Sequence, residues 1–73
     1  MYASKQTLQD RFDVSASFVN KMIVEMRESG LYGQFRITDN SFLRINVAAF
    51  EHYLRNRHAI RNGLHYEPYQ RKE

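Results

Sequence analysis

The chain contains no cysteine among its 73 residues. That excludes a disulfide framework and any thiolate metal site, and it is compatible with a reducing, intracellular setting. Long apolar runs are also missing. None approaches the length of a membrane span, and the first residues lack the basic-then-apolar layout of a signal peptide. A soluble, cytoplasmic protein with no membrane partner is therefore expected. Glycine is scarce, at three residues, and none belongs to a phosphate-cradling loop. His52, His58 and His65 stand six and seven positions apart, with Gly63 in the second gap, so no helical face gathers them. No His-Glu-x-x-His pattern occurs, and no Ser/His/Asp set can be preferred over another in so short a chain. Neither a metal, a cofactor, a small-molecule substrate nor an enzymatic activity is expected.

Seventy-three residues make one domain, near the lower limit of what a single core can stabilise without staples. The net charge is +3, from 11 Lys and Arg against 8 Asp and Glu. Its distribution is uneven. Up to Tyr32, Lys5, Arg11, Lys21 and Arg27 are balanced by Asp10, Asp13, Glu25 and Glu28. From Gly33 to Arg61 the bases Arg36, Arg44, Arg55, Arg57 and Arg61 face only Asp39 and Glu51. The tail balances again. The whole excess thus sits in one segment and consists of arginine, whose forked guanidinium suits phosphate and guanine. A localised basic excess is a nucleic-acid signal.

The stretch from Ser15 to Glu28 organises the rest. Ser15 is an N-cap residue, able to accept from an orphan amide of the first turn. Val19, Met22, Ile23 and Met26 then form an apolar stripe at helical spacing, the methionines serving as core filler. Gly30 reads as a stop signal. The opposite side carries Ser17, Asn20, Lys21 and Val24, so it holds hydrogen-bonding groups rather than a dense coat of charge. Such a face either touches base edges or is simply solvated.

Before it, Tyr2 to Phe12 reads as a short helix with Ser4 as cap and Leu8 and Phe12 on one side. Val14 interrupts the connection as an apolar plug between two crossing helices. The skeleton Leu8-x3-Phe12-x-Val14-Ser15-x3-Val19-x2-Met22-Ile23 is that of a helix-turn-helix, since two helices joined by a short turn must share one core. Other helical hairpins give a similar pattern.

After Gly33 the periodicity changes. Phe35 to Thr38 and Phe42 to Ile45 flank the turn-forming Asp39-Asn40-Ser41, which predicts a β-hairpin. Pairing Ile37 with Leu43 and Phe35 with Ile45 puts four apolar residues on the core side. The same register sets Arg36 opposite Arg44 and Thr38 opposite Phe42 on the outside. Two facing arginines repel, and a phosphate backbone alongside turns that repulsion into attraction. Alternatively the arginines are solvated and Phe42 folds back over the core. Asn46 caps a last helix that runs to about Asn62, with Val47, Phe50, Tyr53 and Leu54 as its stripe and Gly63 as stop. Arg55, Arg57 and Arg61 gather near its C-terminal end, where the helix dipole favours cations. A phosphate or partner contact is the other explanation. Residues 64–73 are expected to form a flexible tail without regular structure. Leu64, Tyr66 and Tyr69 could instead dock on another protein or on the domain itself.

The expected fold is mainly α with a small β-hairpin: a winged helix-turn-helix over 1–63, followed by the tail. In this order of parts the chain resembles the small winged-helix excisionases, the MerR-like recombination directionality factors of phages and integrative elements. The resemblance is carried by Leu8-x3-Phe12-x-Val14-Ser15, by the second helix, and by Leu43-Arg44-Ile45 ahead of a capped helix with Phe50 and Tyr53-Leu54. It implies a non-enzymatic protein that binds double-stranded DNA at adjacent sites, bends it together with neighbouring copies, and recruits a recombinase (integrase). It further implies reading-helix roles for Ala16, Ser17, Asn20 and Lys21 and wing roles for Arg36 and Arg44, with Thr38, Asn40 and Phe42 on the same wing. Asn20 can pair with adenine, and Lys21 with guanine or phosphate. A phage or mobile-element transcriptional regulator shares the fold, and a protein-interaction module or inhibitor is the alternative of a different class.

Overall fold

The computed structural model describes residues 2–32, 38–39 and 44–70. Its elements are β1 (Tyr2–Ser4), α1 (Lys5–Phe12), α2 (Ala16–Ser29), β2 (Thr38–Asp39), β3 (Arg44–Asn46) and α3 (Val47–Asn62). Three helices and an antiparallel β2–β3 hairpin make a small, mainly helical domain, a layout compatible with a winged helix. No described helix is long and apolar enough to cross a membrane.

Side-chain caps fix where each helix begins. The Ser4 hydroxyl accepts from the Thr7 amide at 3.1 Å, the Ser15 hydroxyl from Phe18 at 3.1 Å, and the Asn46 carbonyl oxygen from Ala49 at 3.2 Å. Each bond satisfies an amide the helix itself cannot. Left-handed residues end the helices: Gly30 at φ 71 and Gly63 at φ 68, which glycine adopts without strain, and Asp13 at φ 54. Aspartate tolerates that conformation better than most residues but not freely. Asp13-Val14-Ser15 is the whole connection between α1 and α2, and Val14, half-buried, packs against the core as expected of a plug.

One strand is new. Tyr2–Ser4, expected as the start of the first helix, pairs with β3, giving a three-stranded sheet in the order β1-β3-β2. Tyr2 faces Asn46, Ala3 faces Ile45 and Ser4 faces Arg44. A three-residue strand is too short for alternation to announce it, and Ser4 ends it while capping α1.

The hairpin register corrects the expected one. Thr38 pairs with Ile45 and Asp39 with Arg44, where Phe35 and Arg36 were expected. Ile45 thus stands opposite a residue three positions further along the chain than the expected Phe35. Arg44 therefore has an acidic residue as its cross-strand partner, so the expected repulsive Arg36–Arg44 pair is not part of the ladder. The expectations for Phe35, Arg36, Ile37, Asn40, Phe42 and Leu43 otherwise lie outside the described residues.

The core joins all three helices to the sheet. Leu8, Val19, Met22, Met26, Ile45, Ala49 and Phe50 are fully buried, and Phe12 lays its ring against Phe50 at 5.3 Å. The stripe of α2 is buried as its spacing predicts. Along α3, Val47, Phe50 and Tyr53 are buried while Leu54 is only partly so. Tyr32, expected as part of a connector, is fully buried. Its hydroxyl meets His52 Nδ1 at 2.7 Å, and its ring lies 5.6 Å from Tyr69. Residues 64–70 contain no helix or strand, yet they dock on the domain itself: Asn46 Nδ2 donates to the Tyr69 hydroxyl at 3.4 Å and His52 Nε2 meets the Glu67 carbonyl at 2.7 Å. A carbonyl only accepts, so Nε2 carries a proton there. In the neutral ring Nδ1 then accepts from Tyr32.

Candidate functional site

Helix α2 turns Val19, Met22, Ile23 and Met26 inward, which leaves a defined outer surface. At about 100° per residue, Ala16, Arg27, Asn20, Val24, Ser17, Glu28 and Lys21 follow one another over roughly 140° of it. All seven are exposed. The four residues expected to read bases, Ala16, Ser17, Asn20 and Lys21, are thus brought together at the N-terminal half of this surface. The first two amides of the helix, Ala16 and Ser17, have no intrahelical acceptor, and an anion at a helix start can use such amides. The sequence reading placed Val24 on this face but missed Arg27 and Glu28 as members of it. The signal was available, because both fall within the arc opposite the buried stripe.

Of the wing residues, Arg44 is exposed on β3, and Thr38 lies on β2 beside it as the partner of the adjacent Ile45. Arg36, Asn40 and Phe42 lie outside the described residues. Helix α2 packs on α1 and α3, and Ala3 of β1 and Ile45 of β3 join the same core.

The remaining side of α2 is tied to α3 by charge. Glu25, with its side chain 15% exposed, accepts from Arg57 Nε at 2.8 Å and Nη2 at 3.0 Å, from Arg61 Nη1 at 3.2 Å and from the Tyr53 hydroxyl at 2.7 Å. The Arg57 hydrogen bonds, together with those of Tyr53 and the charge of Arg61, outweigh desolvation and hold the Glu25 carboxyl at about 2. Burial first, and then its bond to Glu25, pushes the Tyr53 phenol up to about 12. Arg57 is raised in turn by Glu25. One turn earlier Arg55 pairs with Glu51 at 2.6 Å.

These pairs divide the basic residues into two sets. The three arginines of α3 each face a carboxylate within the fold, an account that neither the helix dipole nor an outside phosphate supplied. Lys5 and Arg11 of α1 and Lys21 and Arg27 of α2 make no ion pair among the described residues, while the three arginines of α3 share two carboxylates. Among the described residues no group of three or more His, Asp or Glu is arranged to hold a metal ion. No protein-family model, curated protein or solved structure matches the chain.

Proposed function

We propose that this chain is a winged helix-turn-helix module that binds double-stranded DNA through the outer face of α2, with the β2–β3 hairpin as its wing. The observation that carries this reading is the division of the described basic residues: the three arginines of α3 share the carboxylates of Glu25 and Glu51, Arg44 is exposed on β3, and Lys21 and Arg27 of α2 make no ion pair among the described residues. Small and hydrogen-bonding side chains, Ala16, Ser17 and Asn20, accompany them on α2, allowing a groove wall to come close. In this arrangement Lys21, Arg27 and Arg44 meet phosphates, which positions the protein, and Asn20 reaches a base edge, which specifies the site.

The resemblance to the excisionases favours an accessory role in site-specific recombination, in which adjacent copies bend the DNA and engage a recombinase. Nuclease protection distinguishes that role from transcriptional control, because recombination-site arms are covered in the first case and promoter operators in the second. The binding itself is tested with random duplex DNA over a range of salt. If Lys21, Arg27 and Arg44 each neutralise one phosphate, the log–log slope is about −2.7. Absence of binding, or a flat response to salt, favours a protein partner instead.

A further inference from the structure

Val24 is the one large apolar residue on the outer arc of α2, 50% exposed, while Val19, Met22, Ile23 and Met26 of the same helix are buried. It has no place in the hydrophobic core. Helix propensity does not explain it either, since a β-branched residue is a poorer choice at an exposed helix position than Lys, Glu or Ala. On the arc it lies between Asn20, one turn before it, and Glu28, one turn after it. An apolar side chain at the middle of a polar, groove-sized surface has one partner of matching chemistry on duplex DNA: the C5 methyl group of thymine in the major groove.

We propose that Val24 is a specificity-determining residue that packs against a thymine methyl group, an inference that rests on the DNA-binding reading of α2. The geometry gives it a register. Asn20 and Val24 are separated by about 6 Å along the helix axis. That corresponds to roughly two steps of a duplex with 3.4 Å between successive bases on a strand. The thymine touched by Val24 therefore stands within about two base pairs of the adenine read by Asn20. Lys21, also on this arc, holds the phosphate side of the same groove.

Duplexes enriched from a randomised pool by the protein itself supply the probe. Each thymine of the enriched site is replaced in turn by deoxyuridine, which removes the methyl group and leaves the hydrogen-bonding edge unchanged. At one position the replacement weakens wild-type binding roughly fourfold, the equivalent of one methyl contact. Val24→Ala, which keeps the helix former at that site, binds the thymine and uracil duplexes equally. Its affinity matches that of the wild type on the uracil duplex. The sensitive position lies within two base pairs of the adenine whose replacement no longer matters to Asn20→Ala. A wild-type chain indifferent to every uracil replacement overturns the inference while leaving DNA binding intact. So does a Val24→Ala variant, folded by circular dichroism, that retains the full thymine preference. A chain that enriches no sequence from the pool overturns base reading by α2, and this inference with it, while binding to random duplex DNA tests the DNA-binding reading separately.

Discussion

Arg57 of α3 holds Glu25 of α2 through two N–H···O bonds, 2.8 and 3.0 Å long, across a separation of 32 residues. The fork-to-carboxylate geometry fixes how α3 lies against α2, and so which side of α2 is left outside. Arg61 and Tyr53 complete the cluster on the same carboxylate. Its loss is expected to loosen the α2–α3 packing without touching the outer face.

Stability is therefore expected to depend on pH through Glu25. Its carboxyl titrates near 4.5 when unperturbed and at about 2 in the fold. A depressed acid contributes stability that is complete above about pH 4.5 and is lost progressively as pH falls toward 2. Urea midpoints measured between pH 7 and pH 2.5 should decline over that window. Glu25→Gln should start lower at pH 7 and decline less. Equal slopes for the two proteins would remove Glu25 from the account.

Helix ends offer a second test. Asp13 occupies a left-handed conformation at φ 54, at the C-terminus of α1. Its Cβ is disfavoured there, and its negative charge opposes the helix dipole. Asp13→Gly is expected to stabilise the domain by about 0.5–1 kcal/mol, the strain relief and charge removal exceeding the entropy that glycine adds to the unfolded chain. Gly30, at φ 71 with open space around it, gives the opposite result. Gly30→Ala is expected to destabilise by about 1 kcal/mol. Urea denaturation of both variants checks the pair.

The docked tail is a third. Tyr69 covers Tyr32 and His52, with ring centroids at 5.6 and 5.5 Å. Tyr69→Ala is expected to destabilise the domain by about 1–2 kcal/mol, less than a fully buried aromatic because Tyr69 is half-buried. Ending the chain after Gly63 should cost at least as much. A thermal midpoint unchanged by either alteration would mean that the tail adds nothing to the fold.

Binding variants separate the two proposed kinds of contact. Arg44→Ala is expected to weaken binding evenly across DNA sequences and to flatten the salt slope by about 0.9. Asn20→Ala should lose about 1–3 kcal/mol of preference for the enriched site over random DNA. Competition binding at two salt concentrations measures both. Equal losses on enriched and random DNA for Asn20→Ala would deny it a base contact.

Much of the helical framework is local and therefore readable from the chain. Ser4, Ser15 and Asn46 cap what their side chains imply, Gly30 and Gly63 stop what they follow, and the α2 stripe is buried at its period. The non-local features are not readable in this way. Nothing in the pattern around Glu25 indicates Arg57, because the pair obeys no helical spacing and forms only when α2 meets α3. Tyr32 sits between two breakers, where a residue's burial depends on what folds over it, here Tyr53, Tyr69 and His52. The hairpin register differs by three positions from the one that alternation favoured, and β1 depends on a pairing partner some forty positions away. The outer face of α2 was legible for the same reason as the core: one periodicity determines both. Arginine content alone pointed instead to α3, where the carboxylates that pair with it come from two different helices.

The central claim is that the outer face of α2 lies against DNA while α3 does not. Titrating the isotopically labelled protein with an enriched duplex, and following backbone amides by NMR, tests it directly. The largest shifts are expected at Ser17, Asn20, Lys21 and Val24, with a second set at Arg44, while Arg55, Arg57 and Arg61 stay near their starting positions. Shifts concentrated on α3 or residues 64–70, with α2 unmoved, would contradict it.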